Sequence, residues 1–270
     1  MQYEFKNFGE GAVYLPPSIQ IILNGKNLME EFTTSTFSFQ VTSVSGRGRL
    51  SHNIDSTRVP GNHKEIVRNR ALSPRTIDVV AIVKASSNEE YREQISKLLV
   101  ALHEKPINTL RFTDDMNYEY FATFDTLTDE DEKSNRQRIV LTFTCYDPFK
   151  YRIEETIQYK NSAELDINTH LPVVAEEIII TFSDATKARE FTLSNVTADK
   201  KIVYKNTVGT ATTIINQKEM YLGSSVGTNR IEGLDLTFSD FVGFRINKGD
   251  QLVVQPTPTS IQITYRGVSL

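Results

Sequence analysis

The sequence has no tryptophan, one cysteine among 270 residues and no long apolar run. The single thiol, Cys145, excludes an intrachain disulfide and is what a chain folded in a reducing cytosol is expected to carry. No stretch approaches the roughly 18 consecutive apolar residues of a membrane helix, so no membrane association is expected. The start MQYEFKNFGE has neither a basic leader nor an apolar core, so no secretory signal is expected either. Charge of one sign is also missing. The net charge of −4 argues neither for nor against a nucleic-acid partner.

Motifs that carry chemistry are equally scarce. His52, His63, His103 and His170 are scattered, with no HExxH and no cysteine pair, so no metal site is expected. His103 falls near a helix end, where a cationic side chain suits the dipole. There is no GxSxG elbow, no Walker loop and no GxGxxG after a strand. Gly46-Arg47-Gly48-Arg49 follows a strand but leads into no helix, so no phosphate cradle is expected there. Asp129, Asp131 and Glu132 lack the glycine and distal glutamate of a calcium loop. Asp114 and Asp115 read as turn residues, and Cys145 as a small buried hydrophobe. No two carboxylates are paired as a glycan hydrolase requires. The expectation is a protein with no catalytic residues, no cofactor and no metal.

What is abundant is β-branched and aromatic residues, a bias towards sheet. Ile77, Val79, Ala81 and Val83 alternate as a strand with one buried face. Ser87-Asn-Glu-Glu90 is a capping box, and Tyr91, Ile95, Leu98, Leu99 and Leu102 share one helical face. Lys105-Pro106 stops that helix, predicted over about 87–105 and read as the only convincing one. Leu110 and Phe112, a turn at Asp114–Asn117, then Tyr118, Tyr120 and Ala122 form a hairpin. Before them come an aromatic extended start over 1–15, a break at Pro16-Pro17, a strand through Ile19, Ile21 and Leu23 ending at Asn24-Gly25, and a strand over Thr33–Val44.

Between Gly46 and Pro74 the chain is polar and punctuated by glycine and proline. From Arg47 to Arg75 seven Lys or Arg stand against Asp55 and Glu65, a local charge of +5. A structureless loop of that length is unusual in a compact domain. It reads as a long hairpin arm with its tip at Val59–Asn62. Its arginines suit phosphate contact, but the aromatic interleaving of a base-stacking surface is absent. Acidic patches on a neighbouring subunit are the competing partner. The interface candidates are Arg47, Arg49, Arg58, Pro60, Gly61, Lys64, Arg68 and Arg70.

The acidic-to-basic stretch Asp125–Arg138 reads as a solvated hairpin tip, and Ile139, Leu141 and Phe143 as the strand after it. A boundary is expected after Asp147-Pro148, giving an α+β domain over 1–151 and a second domain over 152–270. The second half shows no helical period. Its short candidate strands include Leu234–Phe238 and Gly243–Ile246, with turn residues such as Asn206 and Gly209 between others, the pattern of a β-sandwich. The fold class is therefore mainly β with one α-helix.

The order of motifs resembles the distal tail proteins of long-tailed, non-contractile phages infecting Gram-positive bacteria. The residues that carry it are Gly46-Arg47-Gly48, Pro60-Gly61, Arg75-Thr76-Ile77-Asp78-Val79 and the helix ending at Lys105-Pro106. Leu110–Asp115, Tyr146-Asp147-Pro148-Phe149-Lys150-Tyr151 and Ile261–Arg266 complete the series. Asn62-His63-Lys64 departs from the family, whose members often place an acidic residue and a second glycine after the Pro-Gly. The resemblance implies a homo-hexameric ring at the distal end of the tail, assembled in the host cytoplasm, through which DNA only passes. It implies contacts with the tail tube protein, a tail-associated fibre or lysin protein, and receptor-binding or baseplate proteins. It also implies a galectin-like sandwich pointing outward, more a docking surface than a lectin. The alternative is a carbohydrate-binding attachment module, for which Tyr204, Tyr221 and Tyr265 would have to stack on sugars.

Overall fold

The computed structural model describes residues 19–61, 63–129, 134–205, 210–224 and 228–270. The aromatic start, Pro16-Pro17, Asn62, Asp131, Glu132, Asn206 and Gly209 lie outside them. The chain divides into two compact units, one up to Lys150 together with Leu270 and one from Tyr151 to Ser269.

In the first unit β1 (Ile21–Leu23) turns at Asn24 and Gly25, both at positive φ, into β2 (Lys26–Asn27). That backbone is the one an Asn-Gly hairpin turn selects. A short helix, α1 (Leu28–Phe32), follows and is capped by the Asn27 side chain accepting from the Met29 amide. It corrects the expectation of a single helix. One turn has too few residues to show a periodicity, and only Leu28 and Phe32 point inward. Next come β3 (Phe37–Ser45), β4 (His52–Arg58), β5 (Glu65–Leu72) and β6 (Arg75–Ala85). The main helix α2 (Asn88–Leu102) precedes β7 (Asn108–Phe112), β8 (Tyr118–Asp129) and β9 (Arg136–Cys145).

Seven of the strands of a nine-stranded sheet follow one another, each antiparallel to the next, in the order β2-β1-β7-β8-β9-β6-β3. Ile77, Val79, Ala81 and Val83 of β6 and Ile139, Leu141 and Phe143 of β9 point to one face, and α2 covers it with Tyr91, Leu98 and Leu102. The other face carries threonines and aspartates, with Thr142 donating to Asp78 and Thr144 to Asp125. A sheet with one dry and one wet face gives this alternation. Ser87 caps α2 by accepting from the Glu90 amide at 3.2 Å. The reciprocal half of the expected capping box is replaced. Glu90 instead accepts from Thr36 and Gln94, which ties the helix start to the segment before β3.

The short strand β10 (Lys150–Arg152) carries the chain from one unit to the other. The second unit holds β11 (Glu155–Tyr159), β12 (Ala163–Glu164), β13 (Glu177–Thr181), β14 (Glu190–Asn195) and β15 (Lys200–Lys205). It continues with β16 (Thr212–Asn216), β17 (Tyr221–Gly223), β18 (Gln251–Gln255), β19 (Ser260–Tyr265) and β20 (Val268–Ser269). A five-stranded sheet, β11-β19-β13-β16-β17, shares one core with a four-stranded sheet, β12-β18-β14-β15. Ile178, Ile215, Ile261 and Ile263 come from the first and Phe191, Leu193, Ile202 and Val254 from the second. That is a sandwich.

Two expected strands are absent from it. Residues 231–233 and 241–243 are 3₁₀ turns, and Leu234 and Ile246 make only isolated bridges. The alternation of Leu234, Leu236 and Phe238 has no second buried residue, because Leu236 is 81% exposed and Phe238 58%. The segment lies along β15 instead. Asp235 and Asp240 donate amides to the carbonyls of Val203 and Lys201, and Ser239 accepts from the Val203 amide. It seals a free strand edge.

Candidate assembly surface

Among the described residues no group of His, Cys, Asp and Glu is placed to hold a metal ion, and no helix is long and apolar enough to cross a membrane. The feature that stands apart is the pair β4 and β5, a two-stranded sheet of its own. It begins where the sequence placed the arm, and its base is fixed by an unusual set of contacts.

Gly46 turns the chain out of β3 at φ +90°, and a Cβ there would lie 2.0 Å from the Thr76 carbonyl oxygen. Only glycine fits so close a backbone approach. Arg47 then folds back. Its Nη1 and Nη2 donate to the two carboxylate oxygens of Asp114 at 2.8 and 2.7 Å, and its guanidinium lies 4.8 Å from the centre of the Phe112 ring. Burial pulls the Arg47 pKa down, but the hydrogen bonds and charge of Asp114 outweigh it and leave the group above its usual value. Asp114 therefore does more than turn the chain. Arg75 closes the base from below, 2% exposed, donating from Nη1 to the Arg47 carbonyl at 2.6 Å and facing the Tyr120 ring. Its Nε and Nη2 are buried without a hydrogen-bond partner. Cys145 is buried beside it. Burial pushes that thiol up to about 11, against the pull of Arg75, so it stays protonated at neutral pH.

Beyond this base the hairpin is exposed along both strands. The register pairs Ile54 with Arg70, then shifts so that Ser56 meets Val67 and Arg58 meets Glu65. Arg68 is the extra residue of that bulge. Cross-strand partners share a face, so Ile54 and Arg70, Ser56 and Val67, and Arg58 and Glu65 stand on one side, where Ser56 donates to Glu65 at 2.8 Å. Ile54 is 54% and Val67 59% exposed. An isolated two-stranded hairpin is marginal in water, and aliphatic residues on such a hairpin make a surface suited to being covered.

Of the sequence candidates, Arg58, Pro60, Gly61, Lys64, Arg68 and Arg70 all lie on this hairpin or its tip, and Arg49 on the approach to it. Arg47 differs from the rest, being engaged within its own chain as the clamp of the arm. Its partner is 67 residues away, and so is invisible to a reading of local pattern. Arg75, by sequence the entry to a strand and one charge of the basic stretch, is a lone arginine at an inward position of an apolar alternation, which is itself a signal. His103 does end the helix, with Nδ1 2.9 Å from the Leu99 carbonyl and its ring edge-on to Phe124. In the second unit Tyr204 and Tyr265 are fully buried, and the Tyr221 hydroxyl donates to the Ser224 carbonyl. The two buried tyrosines offer no face to a sugar.

Residues 28–145 match the family model of the phage tail protein RIFT-related domain. The chain is a homologue of the distal tail protein of Bacillus phage SPP1, with 29% identity over 154 residues, 57% of this chain and 60% of that protein. The match thus spans less than two thirds of that relative's length. Among solved structures, the SPP1 Dit protein is described as a paradigm of the hub adsorption apparatus in phages infecting Gram-positive bacteria. It superposes with a TM-score of 0.74 at 20% identity, over 92% of this chain and 98% of that one. At that identity the likeness shows the fold.

Proposed function

We propose that this chain, whose residues 28–145 form a phage tail protein RIFT-related domain, is a structural hub protein at the distal end of a phage tail. Six copies close into a ring through the first unit, which joins the tail tube on one side to a fibre or lysin protein on the other. The second unit is a galectin-like sandwich that offers docking surface to receptor-binding or baseplate proteins. The protein resides in the virion, is assembled in the host cytoplasm, lets DNA pass through its channel and catalyses nothing.

The observation that carries this reading is the clamped, exposed arm. A ring subunit needs a head-to-tail contact that closes by rotation. An arm fixed at its base by Gly46, Arg47 and Asp114, with aliphatic and arginine side chains along its length, is built for such a contact. The homology to a distal tail protein and the shared fold support the same assignment. Light scattering after size-exclusion chromatography, with negative-stain images of the main peak, tests it. Closed six-fold rings with a central channel are expected. The double variant Arg68→Glu/Arg70→Glu should keep the monomer folded and lose the rings. A chain that stays monomeric at all concentrations, alone and with tail tube protein, would sink the ring.

A further inference from the structure

The outer strands of the sandwich are β15 and β12 in one sheet and β17 and β11 in the other. All but β11 are closed. The segment 235–240 bonds to the backbone of β15. Over β17, Asn229 accepts from the Leu222 amide and donates to the Met220 carbonyl, and the Arg230 amide donates to the Leu222 carbonyl. The strand β12 is 2 residues long, too short to template another.

The Phe182 amide donates to the Ala211 carbonyl, so Ile178 and Ile180 of β13 turn their backbone to β16, and Glu177, Ile179 and Thr181 turn theirs to β19. Thr264 and Gln262 of β19 therefore face β13, while Tyr265, Ile263 and Ile261 face Glu155, Ile157 and Tyr159 of β11. The amides and carbonyls of Thr156 and Gln158 are left pointing away from the sheet, and among the described residues nothing bonds to them. The strap over 165–168 reaches this edge through side chains, its Asp166 and Asn168 amides donating to the Tyr159 and Tyr265 hydroxyls. No proline or bulge interrupts the strand. Its charges are ordered. Glu154 precedes it, 3.8 Å from Arg266, and Glu155 is held by Arg152 at 3.0 Å. Lys160 follows it and has no carboxylate partner among the described residues, since Asp166 is taken by Lys248 at 3.4 Å.

We propose that β11 pairs with β11 of a second copy of this chain, antiparallel about a two-fold axis through Ile157. Thr156 of each copy then exchanges both backbone hydrogen bonds with Gln158 of the other, and each Lys160 stands opposite a Glu154. Ile157 meets its counterpart at a non-hydrogen-bonded position, where side chains approach most closely. Outward backbone groups and charges are both complementary about the same residue, which is what a self-complementary patch requires. The contact is isologous, unlike the head-to-tail contact of a ring, and so goes beyond the ring reading. It covers an edge that otherwise invites indiscriminate pairing.

Ile157→Cys in the full chain tests it, because a two-fold axis sets each introduced thiol opposite its counterpart, while the native Cys145 is buried. Under mild oxidation this variant should give a disulfide-linked dimer. Adding Thr156→Pro should abolish the dimer, since an edge strand tolerates proline where the N–H faces solvent, yet an outward donor is lost. Exposed side chains give a second reading that leaves the backbone alone. Thr156→Lys/Gln158→Lys sets like charges opposite each other and should lower the cross-linked yield by about tenfold, whereas Thr156→Lys/Gln158→Glu should restore it. No cross-link, or one indifferent to these changes, would overturn the pairing. If Ile157→Cys stays unlinked while Thr156→Pro stops a baseplate protein from binding, the edge belongs to that protein and not to a second copy. Rings without the cross-link leave the ring reading standing, and cross-linked dimers that never form rings overturn the ring alone.

Discussion

In the first unit β4 and β5 stand without a second layer, whereas in the second unit residues 231–244 fold over the free edge of β15. The two units bury aliphatic and aromatic cores of similar composition, yet they treat peripheral strands in opposite ways. The first invests its buried charge in holding an exposed hairpin at a defined angle. Gly46, Arg47, Asp114 and Arg75 all serve the base of the arm. The second uses Ser239 and Asp240 to close an edge, with Lys200 bound to Asp240 at 2.9 Å. Projecting one edge and sealing another is what separate tasks of assembly and display would require.

The largest effect is expected in the sealed unit. Phe191 is 1% exposed and packs its ring 5.7 Å from Phe182 and 5.3 Å from Tyr204. Phe191→Ala should cost about 4 kcal/mol, as large-to-small changes of buried aromatics do. Because the core of this unit is its own, calorimetry should show the sandwich transition moving to lower temperature while the transition of the first unit stays. A uniform shift of a single transition would mean the two cores are not independent.

A smaller loss is expected at the clamp. Asp114→Ala removes the carboxylate that Arg47 grips with two hydrogen bonds. Arg47 keeps some contact with water, its side chain being 23% exposed, so the loss falls below that of a fully buried pair, at about 2 kcal/mol. The distinguishing readout is directional. Labels on the arm and on α2 should report a broad distance distribution in the variant and a narrow one in the wild type. An unchanged distribution would show that the arm is held by something other than Arg47.

These differences also explain what could be read from the sequence. The α2 face, the β7–β8 hairpin and the arm are local patterns, and each appears in the structure near its expected limits. The clamp is non-local. Arg47 and Asp114 lie 67 residues apart, and no local pattern in Gly-Arg-Gly or Asp-Asp links the two. The segment 231–244 failed for another reason. Alternation predicts a strand only if a sheet has room for its apolar face, and the place beside β15 is taken by turns whose amides reach the strand edge.

The smallest effect concerns acid, and it sharpens the contrast by asking whether the second unit has a polar clamp of its own. Glu155 receives Arg152 at 3.1 and 3.0 Å, the Tyr265 hydroxyl at 2.7 Å and Asn168 at 3.2 Å. Burial raises its pKa, but the three donors together outweigh this and hold it below the ordinary glutamate value. A carboxylate whose folded pKa is depressed contributes stability that is present above its unfolded value, and loses it as pH falls through the folded one. The sandwich should therefore weaken on acidification from about pH 4.5 downward, the ordinary range for an unfolded glutamate. Glu155→Gln keeps the shape and removes the titration, so its stability should change less with pH over that interval. Denaturant titrations of both proteins between neutral pH and the acid limb measure the difference. Parallel curves would mean that Glu155 joins β11 to β19 by geometry alone, and that the charged clamp belongs to the arm.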